Sequence, residues 1–270
     1  MGRSVFRQTG RVLGWVLASY AILGVGIQPS ATALNVERLE PADVDRLHAL
    51  LDHLAPFINA KKQDGTANLL TWDELYQPLT DDEHAFLQAF RAIRAETLGS
   101  TSHFFGESAA QADLVSVGPQ QILKEGSPVL LDLQYLPRPA HEAYRAMMAA
   151  MAAELGKRLL VESGYRAPAY QLYLFMFYLP KHDDSIRETN RFVALPGYSE
   201  HGSPPHQAID FINQAGINGE DHPEEFEALP EYQWLLAHAR RFGFHLSYPR
   251  DNPDHTAFEP WHWHYETPTE

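Results

Sequence analysis

The sequence predicts a chain of mixed helices and short strands, with a helical N-terminal part ahead of a part where strands and helices alternate. Three observations predict it. Apolar residues recur at helical spacing through about residue 110. Beyond that point short runs such as Leu114–Val117 and Gln207–Ile212 read as strands set between helical segments. The 270 residues, 44% of them hydrophobic and 11% aromatic, suffice for a substantial core and suit one or two domains.

Residues 1–33 read as an export leader. Arg3, Arg7 and Arg11 form a basic start, Val12 to Ile27 is an uncharged apolar run, and Ala31-Thr32-Ala33 is a small-residue cleavage pattern. The alternative reading of the same run is an uncleaved anchor; in either case the rest of the chain is expected outside the cytoplasm, with no later span. Residues 34–112 are expected to form a helical extension. Pro41 and two early aspartates start a helix that carries Val44, Leu47, Leu50, Leu51, Leu54 and Ile58. Lys61 to Thr66 reads as a loop, and Thr71-x-x-Glu74 resembles a capping box. Thr80-Asp-Asp-Glu83 opens the next helix, carrying Phe86, Phe90 and Ile93. The histidines here (His48, His53, His84, His103) are expected at the surface.

Residues 113–270 carry the mixed part. Strands are expected at 114–117, 129–133, 158–161 and 207–212, and helices at 141–155, 168–178 and most of 223–242. Cysteine is absent, so disulfides and thiolate metal sites are excluded and a metal must sit on His, Asp or Glu. The net charge is −14, and loss of the three leader arginines takes it to −17, which argues against nucleic acid or an anionic membrane face as a partner.

Chemistry-bearing side chains concentrate in Glu259-Pro-Trp-His-Trp-His-Tyr265. A hydrolytic zinc site needs about three protein ligands, an open position and a carboxylate to move protons. His201, His206, Asp210, Glu259, His262 and His264 offer them, and the Glu259-x-x-His262 spacing lets one residue bind metal while the other acts beside it.

Four pieces in order carry a resemblance. Ser163-Gly-Tyr-Arg166 with Gln171, Pro196-Gly-x-Ser199-Glu-His201 leading to Ala208-x-Asp210, Phe242-Gly-Phe244 with Tyr248-Pro249, and Glu259-Pro-Trp-His-Trp263 together resemble the VanY-type zinc D-alanyl-D-alanine carboxypeptidases, over about residues 115–266. The resemblance implies an α+β fold: a small, mainly antiparallel sheet flanked by helices, as in Hedgehog/DD-peptidase proteins. It implies zinc on His201, Asp210 and His262, and Glu259 as the general base that activates the zinc water. Arg166 would hold the substrate's peptide carbonyl or its terminal carboxylate, with Ser163, Gln171, Trp261 and Trp263 on the substrate side. The implied substrate is the peptidoglycan stem peptide, which loses its C-terminal D-alanine. L,D-carboxypeptidase or endopeptidase action on the same peptides, or a non-catalytic wall-binding role, stay open as alternatives.

Two departures from the family pattern stand out. His201 precedes Asp210 by nine residues where the family has seven, and His206 takes the place of a family glycine. His201 keeps the Ser-Glu-His context and is preferred as the first ligand, with His206 the alternative. His264 stands where the family often has arginine, and is expected to pack or hydrogen-bond beside the site.

Overall fold

Helix α1 (Pro41–Gln63) begins on the proline marked in the sequence, whose fixed φ and missing N–H suit a first helical position. Asp43 in its first turn and Lys61 and Lys62 in its last complement the helix dipole. The lysines extend the helix into the expected loop, and Lys61 is held there by Glu74 at 2.5 Å. Helices α2 (Trp72–Tyr76) and α3 (Asp81–Arg91) both start in capping boxes, Thr71 with Glu74 and Thr80 with Glu83. A computed structural model of the chain describes residues 33–108, 113–124, 126–220, 222–252 and 257–266. The expected leader therefore lies, but for its last residue, outside the described residues. Among the described residues no helix is long and apolar enough to cross a membrane.

Four short strands follow in two antiparallel pairs. Strand β1 (Leu114–Ser116) pairs with β4 (Tyr135–Pro137), and β2 (Gln121–Lys124) with β3 (Ser127–Leu130). The β2–β3 hairpin shifts the strand expected at 129–133 toward the N-terminus. Helix α4 (Arg138–Leu155) leads into β5 (Leu159–Ser163), and α5 (Pro168–Tyr178) and the short α6 (Ile186–Thr189) come next. After β6 (His206–Asn213), the helix expected over 223–242 is divided into α7 (Pro223–Glu227) and α8 (Pro230–His238). The physical reason is Pro230, which holds Leu229 in an extended conformation (φ −66°, ψ 139°). Strands β7 (Phe244–Leu246) and β8 (His262–Glu266) complete a four-stranded antiparallel sheet in the order β5-β6-β8-β7.

This is the α+β arrangement expected. The described residues fall in one compact unit with two main cores. In one, Leu47, Leu50, Leu54 and Ile58 of α1 and Phe86 and Phe90 of α3 pack with Leu172, Phe175 and Met176 of α5. The helical extension thus shares its core with a helix of the mixed part. Each fully buried Leu or Phe contributes about 1.5–3 kcal/mol to that union. In the other core, Met147 and Met151 of α4 and Phe226 of α7 cover the sheet residues Ile209, Phe211, Trp263 and Tyr265.

Among the described residues, the outer edge of β5 carries no further strand. The buried Gln120 side chain stands in for one: its Nε2 donates to the Val161 carbonyl (2.8 Å) and its Oε1 accepts from the Val161 N–H (2.9 Å). Replacing it by an apolar isostere leaves both backbone groups buried and unpaired. Gln120→Leu is expected to cost about 1–3 kcal/mol per unpaired group, read as a lower urea midpoint at unchanged slope.

Candidate active site

The site is set by strand pairing. In the β6–β8 ladder Asp210 stands directly opposite His262, and Ile209 opposite Trp263. Side chains alternate between the two faces of a sheet. Asp210 and His262 therefore share one face while Ile209 and Trp263 share the other, in the core. His201 arrives from a single 3-10 turn, Glu200–Gly202, anchored where the Arg166 N–H donates to the His201 carbonyl (3.0 Å). The extra residues of this loop are taken up in a turn closed by the His206 N–H on the Ser203 carbonyl (2.9 Å).

His201, Asp210 and His262 converge, with their ligand atoms within 4.8 Å of one another. His201 Nε2 lies 3.0 Å from Asp210 Oδ2, and His262 Nδ1 lies 2.9 Å from Asp210 Oδ1. The opposite ring nitrogens are committed elsewhere. His201 Nδ1 is 2.7 Å from the Gly164 carbonyl, which can only accept, so Nδ1 carries hydrogen. His262 Nε2 is 2.9 Å from Glu200 Oε2 and donates in the same way. In the neutral rings the lone pairs thus fall on the two nitrogens that face Asp210. Histidines that bind metals are held by such outer hydrogen bonds.

Electrostatics point to the same centre. Burial alone would lower the His262 ring, but the Asp210 carboxylate and hydrogen bonds to Asp210 and Glu200 push it up to about 10. Burial would raise Asp210, yet His201 and His262 hold it well below the usual carboxylate range. Glu200 is brought down to about 2, its burial outweighed chiefly by the hydrogen bond from His262. A centre that holds a proton this firmly favours positive charge. Two imidazoles and a carboxylate turned to one point fit a zinc ion.

The cluster lies in a cleft of about 580 Å³, whose lining includes Arg166, Gln171, Glu259 and Trp261. The Glu259 carboxylate is 3.7 Å from His262 Nδ1. Burial pushes Glu259 up to about 8, with His262 opposing and Asp210 and Glu200 adding to the rise. Arg166 Nε and Gln171 Oε1 are buried without a hydrogen-bond partner among the described residues, although Gln171 Nε2 donates to the Ala194 carbonyl (2.6 Å). The Trp261 ring packs on Gly219, where an added Cβ would come within 2.0 Å of it.

Other expected site residues lie elsewhere. Trp263 belongs to the core beneath the sheet, its Nε1 donating to the Pro260 carbonyl (3.0 Å), because the two-residue period turns it away from His262. Ser163 ends β5 opposite Asp210 and is not among the residues lining the cleft. His206 starts β6 opposite Glu266, its side chain 46% exposed, and stands apart from the cluster that His201 joins. His264 hydrogen-bonds Ser247 Oγ (2.7 Å), beside the site as expected.

Residues 133–268 match the VanY family model, described as D-alanyl-D-alanine carboxypeptidase. The chain belongs to the VanY family. A putative carboxypeptidase of Bacillus subtilis, YodJ, is 31% identical over 139 residues, which are 49% of this chain and 46% of that protein. The bifunctional D-Ala-D-Ala dipeptidase and carboxypeptidase VanXYC of Enterococcus gallinarum is 28% identical over 120 residues, 42% of this chain and 59% of the relative. The chain thus spans about half the length of these relatives. A vancomycin-resistance D,D-pentapeptidase VanY from a VanB-type cassette, solved with Zn(II), is 25% identical with a TM-score of 0.40, covering 57% of this chain and 80% of that one.

In the sequence Glu200 stands only as context within the Ser-Glu-His run of the VanY pattern. Its carboxylate accepts from both His262 Nε2 (2.9 Å) and Ser247 Oγ (2.6 Å). An acidic residue directly beside a candidate metal ligand is the available signal. Glu200→Gln is expected to leave the circular dichroism unchanged and to weaken Zn2+ binding about 10–100-fold, measured by competition with a chromogenic chelator.

Proposed function

We propose that this protein is a zinc-dependent D-alanyl-D-alanine carboxypeptidase that removes the C-terminal D-alanine from peptidoglycan stem peptides outside the cytoplasm. The observation that carries the reading is the convergence of His201, Asp210 and His262 in an open cleft, with the buried Glu259 carboxylate 3.7 Å from His262 Nδ1. In this reading His201 Nε2, Asp210 and His262 Nδ1 hold the ion. Bound zinc supplies Lewis acidity toward the scissile carbonyl and lowers the pKa of its water to about 7.

The chain's own groups supply the rest. Glu259 takes a proton from the attacking water and passes it to the leaving amine. A general base works best with a pKa near the working pH, and burial moves Glu259 from the ordinary carboxylate range toward it. Arg166 presents a buried guanidinium N–H with no acceptor among the described residues, suited to the substrate's carbonyl or terminal carboxylate. The Gln171 carbonyl oxygen, also unpartnered, suits a substrate N–H. Trp261 walls the cleft and limits water, which strengthens these interactions. The substrate class requires export, in keeping with the leader pattern at residues 1–33.

Purified protein is expected to convert a pentapeptide stem to a tetrapeptide, seen by mass spectrometry as loss of one alanine. Excess chelator abolishes this and Zn2+ restores it; full activity in chelator would sink the metal reading. Loss of alanine from the tetrapeptide instead, or an internal cut, would reassign the bond. Glu259→Gln is expected to retain bound zinc while turnover falls about 10²–10⁴-fold, checked by metal analysis alongside the rate.

A further inference from the structure

The face of the sheet that carries Asp210 and His262 continues along the same two strands. Ala208 stands opposite His264, and His206 opposite Glu266. By the two-residue period, His206, Asp210, His262, His264 and Glu266 all belong to this one face. His206, His264 and Glu266 place their ligand atoms within 4.8 Å of one another, in a group that shares no residue with the first cluster.

The two separations to Glu266 suit a shared ion better than direct hydrogen bonds. His264 Nε2 is 3.4 Å from Glu266 Oε1, and His206 Nδ1 is 3.6 Å from the same oxygen. Both exceed the usual N–H···O distance of about 2.7–3.2 Å. Ligand atoms about 2.0–2.2 Å from a tetrahedral zinc lie about 3.3–3.6 Å from each other.

The orientation of His264 is also that of a ligand. Ser247 Oγ lies 2.6 Å from Glu200 Oε2, and a carboxylate only accepts, so the serine hydroxyl hydrogen points to Glu200. Ser247 Oγ must then accept from His264 Nδ1–H at 2.7 Å. That leaves the His264 Nε2 lone pair facing Glu266 and His206. Glu200 thus orients one histidine of each group, His262 directly and His264 through Ser247.

We propose that His206, His264 and Glu266 form a second divalent-metal site, separate from the first. Its two imidazoles select Zn2+ or Cu2+ over Ca2+ or Mg2+. Being partly exposed, it is the weaker and more readily exchanged of the two. An ion there ties the first residue of β6 to the last of β8, and so braces the register that sets Asp210 against His262. It also fixes the far end of the enlarged loop that delivers His201.

The test is zinc stoichiometry on the full, untagged, metal-free chain in excess Mg2+, by titration calorimetry and metal analysis. Wild type is expected to take up two equivalents, the second raising the melting temperature further. His206→Ala and Glu266→Gln alter exposed side chains and are each expected to lose only the weaker equivalent and its thermal shift. Asp210→Asn is expected to lose the tighter one. The proposal is overturned if wild type binds one equivalent that His206→Ala leaves intact, or if a second equivalent survives both His206→Ala and Glu266→Gln. A single equivalent abolished by His206→Ala but kept by Asp210→Asn would sustain the second site and overturn the reading of the first.

Discussion

The pairing of Asp210 with His262 across β6 and β8 is the constraint on which the rest depends. A sheet offers two faces, and a one-residue slip exchanges them. Such a slip would bring Trp263 toward the cleft and bury His262 in the core. The apolar residues forbid it: Ile209, Phe211, Trp263 and Tyr265 all lie in the core on the opposite face. The core therefore sets the geometry of the polar cluster.

A buried polar cluster is costly unless each group has a partner. Here the partners are shared out among the backbone and one carboxylate. Gly164 offers its carbonyl to His201, and no larger residue fits that position, because an added Cβ would come 2.5 Å from the Tyr135 carbonyl oxygen. Glu200 accepts from His262 and Ser247 at once. Among the described residues Arg166 Nε and Gln171 Oε1 are buried without a partner, and both residues line the proposed substrate cleft.

The helical N-terminal part takes its place in this arrangement through α5. That helix is buried over most of its surface, and its apolar residues Leu172, Phe175 and Met176 join the core of α1 and α3. Gln171 lies on the same helix and reaches the cleft. The extension thus supports one wall of the proposed substrate site from behind.

Much of this was legible in the sequence, because local chemistry governs it. The capping box at Thr71, the helix start at Thr80, prolines at helix starts and the span of α5 depend on neighbouring residues. So does the motif order that marks the VanY family. Other features needed the folded chain. The run from His262 to Glu266 reads as an aromatic and histidine cluster, and only its pairing with β6 made it a strand and sent Trp263 inward. The separation of His201 from His206 depended on how the loop between them turns, which spacing does not encode. Sequence by itself determined which residue types and which local elements were present. Tertiary structure decided which side chains face each other, because strand register and hydrogen-bond direction are properties of distant segments brought together.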